Sequence, residues 1–285
     1  MSSAPIASAP VAAPNFFHAT LSIARLTMLR IVRGRKLWVA GIAAVVVILF
    51  PAFVALSRDE ADREALHEAV NAAVAGGIDW GFFRLLVFLL PILFTSGTVG
   101  EEVEGRTLHF LAMRPLPRSA IALGKYLVGT ATGLAVLWVA LILLHVVSYA
   151  ATPSLMIDQL ADTARAGGAA SILLVLYSAI CLFWGTLVPE AGGMLSIVWL
   201  GFVECFVGLL PGVFRFGSMT HWARELGGIE AAGWGEISIG AGDPLVSVPE
   251  VDTWIMVLAP VAEWALFLGF ALLIMQTAQL RFGKA

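Results

Sequence analysis

The sequence is poor in charged and reactive side chains. Of its 285 residues, 13% are Asp, Glu, Lys or Arg, whereas a soluble domain carries about a quarter. It has two cysteines, Cys181 and Cys205, and both lie in apolar stretches. Neither a disulfide framework nor a cysteine metal site is therefore expected. The composition excludes an ordinary water-soluble domain.

Several catalytic motifs are missing as well. No Gly-x-x-x-x-Gly-Lys-Ser/Thr sequence occurs, which excludes nucleotide hydrolysis through a P-loop in this chain. The His-Glu-x-x-His and Gly-x-Ser-x-Gly motifs are also absent, and these would mark a zinc protease or a serine hydrolase. We therefore expect a protein that is not an enzyme, holds no metal or cofactor of its own and binds no nucleic acid.

Long apolar stretches are what the sequence does contain. Hydrophobic residues make up 59% of the chain, and the mean hydropathy is +0.90. The stretches are about 20 residues long, enough to cross a hydrocarbon core of about 30 Å. We predict an all-α integral membrane protein after a disordered tail over residues 1–14. Six transmembrane helices are expected at about 37–56, 82–99, 119–150, 169–188, 192–210 and 253–280.

Residues 15–36 have the pattern of an amphipathic helix that lies in the membrane interface. The apolar face consists of Phe17, Leu21, Ala24, Met28 and Ile31. Another face carries Arg25, Arg30 and Arg33. A basic amphipathic helix that precedes a span suits the boundary between headgroups and acyl chains. The alternative is a cytosolic helix that packs against a partner.

The segments between the spans differ in length and polarity. Residues 58–79 predict a short exposed helix that ends in a turn at Gly76-Gly77. Residues 152–168 predict a polar loop, and residues 211–252 a longer one. The first part of the longer loop, residues 212–228, predicts a short helix at the outer interface, with an ordinary folded surface loop as the alternative. The fourth and fifth spans are joined only by the turn Pro189-Glu190-Ala191.

Lys and Arg are unequally divided between the two sides of the six-span arrangement. The side of the termini carries Arg25, Arg30, Arg33, Arg35, Lys36, Arg106, Arg114, Arg118, Lys125, Arg281 and Lys284. The other side carries Arg58, Arg63, Arg84, Arg165, Arg215 and Arg224. Because cytoplasmic loops are enriched in Lys and Arg, both termini and the 101–118 loop are predicted to be cytoplasmic. The predicted location is the cell membrane.

Three ionisable residues, His145, Glu204 and Glu263, fall within predicted spans. A charged side chain at the bilayer centre costs about 2.5–3.5 kcal/mol on insertion scales. One hypothesis is that these residues form the polar lining of a transport path. The other is that the two carboxyl groups are protonated or paired and serve only in packing.

The loop between the second and third predicted spans carries the most distinctive pattern. It resembles the permease subunits of ABC-2 type exporters, in which an acidic pair precedes a Gly-Thr-Leu sequence, a Leu-rich turn, a Pro, an Arg and a Gly-Lys. The matching residues here are Glu102, Glu104, Thr107, Leu108, Leu111, Pro115, Arg118, Gly124 and Lys125. Arg106 departs from the pattern, because Gly is commonest at that position and Gly105 comes one residue early.

The resemblance implies a function and an assembly. In such permeases this loop is a coupling helix that docks on a separate ATP-binding subunit, which would hold ATP and magnesium. Two permease subunits, identical or different, would assemble with two ATPases in the lipid bilayer. The residues expected to serve coupling are Glu102, Glu104, Arg106, Thr107, Leu108, Leu111, Arg114, Pro115, Arg118 and Glu190.

Two functions of different classes remain open from the sequence. The chain is either an ATP-driven exporter permease or a self-contained membrane protein. The self-contained protein would be an ion-coupled carrier that uses Glu204 and Glu263, or a membrane anchor that transports nothing. A carrier usually contains internal repeats with broken helices in both halves, and no convincing repeat is present.

Overall fold

The computed structural model describes residues 15–57, 63–97, 117–150, 152–207, 216–228 and 252–277. Helices account for nearly all of these residues, and no strand occurs among them. Five of the described helices are long and apolar enough to cross a membrane, and a further apolar helix, Gly192–Glu204, is shorter. The described chain is an all-α membrane protein, while the count of six spans stays a prediction.

The helices are numbered in chain order. Helix α1 spans Phe16–Arg33 and α2 spans Arg35–Ser57. Helix α3 is continuous through four segments, which are α-helical Arg63–Gly76, π-helical Gly77–Leu86, α-helical Val87–Pro91 and π-helical Ile92–Ser96. Helices α4, α5 and α6 span Arg118–Ser148, Pro153–Asp158 and Leu160–Leu187. Helix α7 combines Gly192–Trp199 with a π-helical part, Leu200–Phe206, and α8 and α9 span Met219–Gly227 and Thr253–Thr277.

Helix α6 is the centre of the bundle. Its most apolar stretch is 72% buried, whereas those of α2 and α9 are 22% and 17% buried. It contacts α3, α4, α7, α8 and α9. Apolar side chains such as Phe53 and Trp254 remain exposed on the peripheral helices, as expected where lipid tails replace water as the solvent. The core is thus organised around α6, and the outer helices present apolar faces to the bilayer.

Helix α1 lies across the beginning of α4. Its buried residues include Ala19, Thr20 and Ile23, and a Cβ on Gly124 would lie 2.8 Å from the backbone oxygen of Thr20. Of the apolar face that the sequence pattern indicates, Ile31 is buried and Ala24 partly buried, whereas Phe17 stays 80% exposed. That remaining apolar surface suits the membrane interface, and the interfacial location stays a prediction.

Two segments that we expected to be irregular are helical where the structure describes them. No turn occurs at Gly76-Gly77, because α3 passes through both residues. Gly77 instead lets α2 approach, since a Cβ there would lie 2.7 Å from Cγ of Pro51. The loop expected over 152–168 consists largely of α5 and the first turns of α6. Polar residues can extend a helix beyond the bilayer, so polarity alone did not mark an end.

Helix α6 offers a direct test of backbone proximity at the crossing with α3. A Cβ on Gly185 would lie 2.5 Å from the backbone oxygen of Ser96, whereas a Cβ on Gly168 would meet nothing within 4 Å. We expect Gly185→Ala to lower stability by about 1–3 kcal/mol, since overpacking forces the backbone to shift.

Gly168→Ala is the matched control on the same helix, and it should be neutral or slightly stabilising because alanine favours helix more than glycine. Thermal unfolding of the detergent-purified variants measures both effects. Equal melting temperatures for the two variants would contradict the close α3–α6 contact.

Candidate functional site

Most residues of the predicted coupling segment lie outside the described residues. These are Glu102, Glu104, Arg106, Thr107, Leu108, Leu111, Arg114 and Pro115. The structure describes the two flanks, where α3 ends in Ser96-Gly97 and α4 begins at Arg118. Arg118 is exposed at the start of its helix. The described structure therefore shows how the segment is held at both ends.

Both flanks are packed backbone to backbone against the rest of the bundle. A Cβ on Gly129 of α4 would lie 2.8 Å from the backbone oxygen of Phe94. Gly185 of α6 comes equally close to Ser96, as described above. Lys125, which follows the Gly124 contact with α1, is only 3% exposed. The helix ends that flank the 98–116 segment are therefore in close contact with α1 and α6 as well as with each other.

Glu190 lies at the same end of the bundle as these flanks. It is exposed in the turn that joins α6 to α7. Directly after that turn, a Cβ on Gly192 would lie 2.5 Å from Cα of Gly185, and a Cβ on Gly193 would lie 3.5 Å from Oγ of Ser96. The turn is thus adjacent to the end of α3.

His145 is engaged in local contacts near the far end of α4. Its Nδ1 lies 3.0 Å from the Thr163 hydroxyl, and its Nε2 lies 2.9 Å from the Met156 carbonyl oxygen. A carbonyl can only accept, so Nε2 carries the proton. The ring is 4% exposed. His145 ties α5 and α6 to α4, and this contact set favours a packing role over a place in a transport path.

Glu204 is the centre of a buried polar cluster. It lies in the π-helical part of α7 and is 1% exposed. Its Oε2 accepts hydrogen bonds from the Tyr177 hydroxyl at 2.8 Å, the Ser218 hydroxyl at 3.1 Å and the Thr220 backbone N–H at 3.1 Å. The cost of burying this carboxyl group is therefore offset by donors from α6 and from the start of α8.

The other end of α8 is held by charged side chains. Nη2 of Arg224 lies 2.7 Å from Oδ1 of Asp79 on α3, and both side chains are less than a tenth exposed. Arg84 approaches the same carboxylate at 3.9 Å. Burial lowers the pKa of Arg224, and the neighbouring Asp79 opposes that effect. From α6, Nε of Arg165 donates to the Leu226 carbonyl oxygen at 2.8 Å.

Glu263 lies on the peripheral helix α9 and is partly exposed. Its neighbour Trp264 donates from Nε1 to the Tyr126 hydroxyl at 2.8 Å, and that hydroxyl donates to the Val175 carbonyl oxygen at 3.1 Å. These bonds join α9, α4 and α6 at a buried tyrosine. The position of α9 beside the bundle centre is therefore fixed by polar contacts as well as by apolar packing.

The residues that accompany Glu204 carry little signal in the sequence. Tyr177 lies in an apolar stretch without a local motif, and its importance comes from contacts across 27 and 43 positions. Ser218 had a weak signal, because Ser commonly precedes the first turn of a helix. Asp79 and Arg224 lie far apart in the sequence, on α3 and α8, so no spacing rule could pair them.

A cavity of about 480 Å³ lies beside the Asp79–Arg224 ion pair. Its polar lining includes Asn71, Asp79, Tyr149 and Asp162, and Gly227-Gly228 forms part of the wall. The Tyr149 hydroxyl donates to the Asn71 side chain at 3.0 Å. Among the described residues, no group of three or more His, Cys, Asp or Glu could hold a metal ion. The end of α8 thus borders the cavity.

Comparison with known proteins adds one finding. Residues 21–225 match the family model described as "ABC-2 family transporter protein". The match runs from α1 into α8 and includes the whole 98–116 segment. None of the curated proteins compared matches the chain.

The Asp79–Arg224 pair generates a stability prediction. Arg224→Met leaves a buried carboxylate without its nearest cation, and Asp79→Asn removes the partner charge, so each should cost about 3 kcal/mol. The double variant Asp79→Asn/Arg224→Met should lose less than the sum of the two, because it leaves neither charge unpaired. Thermal unfolding in detergent measures all three.

Asp158→Asn is the control, because it removes an exposed carboxylate from the nearby helix α5. Its melting temperature should equal that of the parent. Strictly additive losses in the double variant would show that the two charged groups do not stabilise each other.

Proposed function

This chain belongs to the ABC-2 transporter family, and from that membership we propose that it is the permease subunit of an ATP-driven exporter. In this proposal it forms the path through the membrane together with a second permease subunit, identical or different. A separate ABC ATP-binding subunit hydrolyses ATP with magnesium. The family match over residues 21–225 is the observation that carries the proposal.

The proposed docking element is the segment over residues 101–118. Acidic residues, an amphipathic turn and a basic, Pro-flanked end follow one another there in the family's order. The packing of its flanks supports the role, because Gly97 and Pro117 lead directly into α3 and α4. Force applied by an ATPase would enter helices that contact α1 and α6 through their backbones. A solvated loop with loose ends would transmit little of that force.

The Pro189-Glu190-Ala191 turn is proposed as a second, smaller contact with the ATPase. It lies next to Ser96 and therefore beside one end of the docking segment. Both elements are proposed to be cytoplasmic, as are both termini, because this arrangement places most Lys and Arg on the cytoplasmic side. The proposed location is the cell membrane.

The contacts of Glu204 bear on the alternative of an ion-coupled carrier. A carrier that used Glu204 for a coupling ion would need the carboxylate to be available at the path. Here Oε2 is occupied by three donors, which favours an architectural role for this residue. The apolar surfaces exposed on α2 and α9 leave room for lipid and for a second permease subunit.

The docking prediction is tested by charge reversal. Glu102→Lys/Glu104→Lys should lower recovery of the ATPase subunit when the tagged permease is purified from native membranes, since both changes place cations where the partner meets carboxylates. Glu68→Lys is the matched control, because Glu68 is an exposed carboxylate on α3 at the opposite end of the bundle. Undiminished ATPase recovery by the double variant would contradict docking through this segment.

The orientation is tested by labelling a cysteine at the tight turn. A Glu190→Cys variant should react with a membrane-impermeant maleimide only after the membrane is opened, because the turn is proposed to be cytoplasmic. A Glu225→Cys variant should instead react on intact cells, since Glu225 is exposed on α8, at the other end of the bundle. Labelling of the Glu190→Cys variant on intact cells would overturn the proposed orientation.

A further inference from the structure

We propose that Glu204 is an electrostatic latch that holds α8 against the bundle and is released by a change in the helical pairing of α7. This inference deepens the proposed export function, because it assigns a conformational device to the membrane subunit. It rests on the contacts at the two ends of α8 and on the π-helical segment that carries Glu204.

The beginning of α8 is capped by a residue of another helix. The N-cap residue Ser218 makes no capping hydrogen bond of its own to the helix. Glu204, from another helix, accepts instead from the Thr220 backbone N–H. A carboxylate at this place satisfies an otherwise unpaired N–H and interacts favourably with the positive end of the helix dipole. Glu204 therefore serves as the N-terminal cap that α8 lacks in its own sequence.

The last turn of α8 is held by contacts with α3 and α6. Arg224 lies in the last turn of α8, and the Leu226 carbonyl oxygen accepts from Arg165 of α6. Cations at this end complement the negative end of the dipole. A helix as short as α8, with nine residues, is too short to be stable in isolation. Its structure thus depends on side chains supplied by α3, α6 and α7, and it will loosen if they move.

The hydrogen bonds to the Glu204 carboxylate depend on a single oxygen. All of the side chain's hydrogen bonds to Tyr177, Ser218 and Thr220 use the same oxygen, Oε2. Its Oε1 has no hydrogen-bond partner among the described residues. A single rotation of the carboxylate away from α8 would therefore break these three bonds together. The 2.8 Å bond from the Ser218 hydroxyl to the Glu204 backbone carbonyl and the 2.6 Å contact between the Tyr177 and Thr220 hydroxyls would remain.

The π-helical part of α7 offers a way to rotate the Glu204 side chain. Glu204 lies within the π-helical turns Leu200–Phe206, directly after the α-helical part of α7. π-Helical turns inside α-helices occur frequently at functional sites. A shift of pairing by one residue turns the following side chains by about 100°. Conversion of these turns to ordinary α-helix would carry Glu204 away from Ser218 and Thr220.

The position of α7 connects this switch to the proposed ATPase side. Helix α7 begins at Gly192, which is in close backbone contact with Gly185 and lies beside Ser96. A displacement entering at α3 or at the Glu190 turn therefore reaches the beginning of α7 directly. We infer that such a displacement changes the pairing over Leu200–Phe206 and so releases α8 at the far end of the bundle.

The packing of α8 against the bundle is tested with a buried cysteine thiol as the reporter. Ala223 is 2% exposed on α8, and Ala223→Cys, with Cys181 and Cys205 replaced by alanine, gives a single thiol. Its rate of maleimide labelling in nanodiscs reports how often α8 leaves the bundle. We expect Glu204→Gln to raise that rate about tenfold or more, because the neutral amide oxygen accepts these hydrogen bonds more weakly than the carboxylate of the proposed latch.

Smaller substitutions keep the test decisive if Glu204→Gln does not fold. Tyr177→Phe and Ser218→Ala each remove one donor to Glu204, and each should raise the labelling rate by severalfold. Ser171→Ala is the matched control on α6, because its hydroxyl pairs with Trp138 and not with this cluster. Labelling at the parent rate in all the Glu204, Tyr177 and Ser218 variants overturns the latch.

Release during transport is tested in the complete complex. With the ATP-binding subunit bound, labelling of the reporter thiol in the Ala223→Cys variant should be faster during ATP turnover than without nucleotide. Equal rates would overturn the release step. The nanodisc experiment uses the permease chain alone, so its result does not depend on an ATPase partner. If no ATPase partner exists, the proposed function is contradicted, while the labelling rates still test whether Glu204 holds α8 against the bundle.

Discussion

Polar groups inside a membrane protein must find their partners within the protein, because hydrocarbon supplies none. Three of the buried polar groups described here join separate helices. Glu204 connects α7 to α6 and α8, Asp79 connects α3 to α8, and Tyr126 connects α4 to α6 and α9. Apolar packing permits many relative positions of smooth helices, whereas a satisfied polar contact selects one. The arrangement of the bundle therefore depends on these few side chains.

Helix α6 makes the arrangement mechanically continuous. It is in backbone contact with α3 at Gly185, bonds Glu204 through Tyr177 near its middle and reaches the end of α8 through Arg165. The two ends of the bundle are thereby connected by one helix, whose most apolar stretch is 72% buried. The helix ends that flank the 98–116 segment lie at one end of the bundle and α8 lies at the other, and both contact elements that pack against α6. This continuity supports the proposal that a displacement of the flanks reaches α8.

Sequence reasoning succeeded where the signal was local. Apolar stretches identified the helices, and the motif around Glu102 to Lys125 indicated the family that the comparison then established. It was wrong at Gly76-Gly77 and over 152–168, because Gly77 permits close packing against Pro51 and polar residues extend a helix. The partners of Glu204 and Asp79 could not be predicted, since both depend on contacts between distant positions. The roles of the coupling residues remain predictions.

The length of α6 has a consequence for the membrane around the protein. Its 28 residues span about 42 Å at 1.5 Å per residue, whereas the hydrocarbon core is about 30 Å thick. Asp162 and Arg165 are exposed near its start, so we expect the excess length to lie among the headgroups. Because Arg165 holds one end of α8 while Glu204 holds the other from within α7, a change in bilayer thickness would strain the two attachments unequally. We therefore expect lipid composition to alter how firmly α8 is held against the bundle.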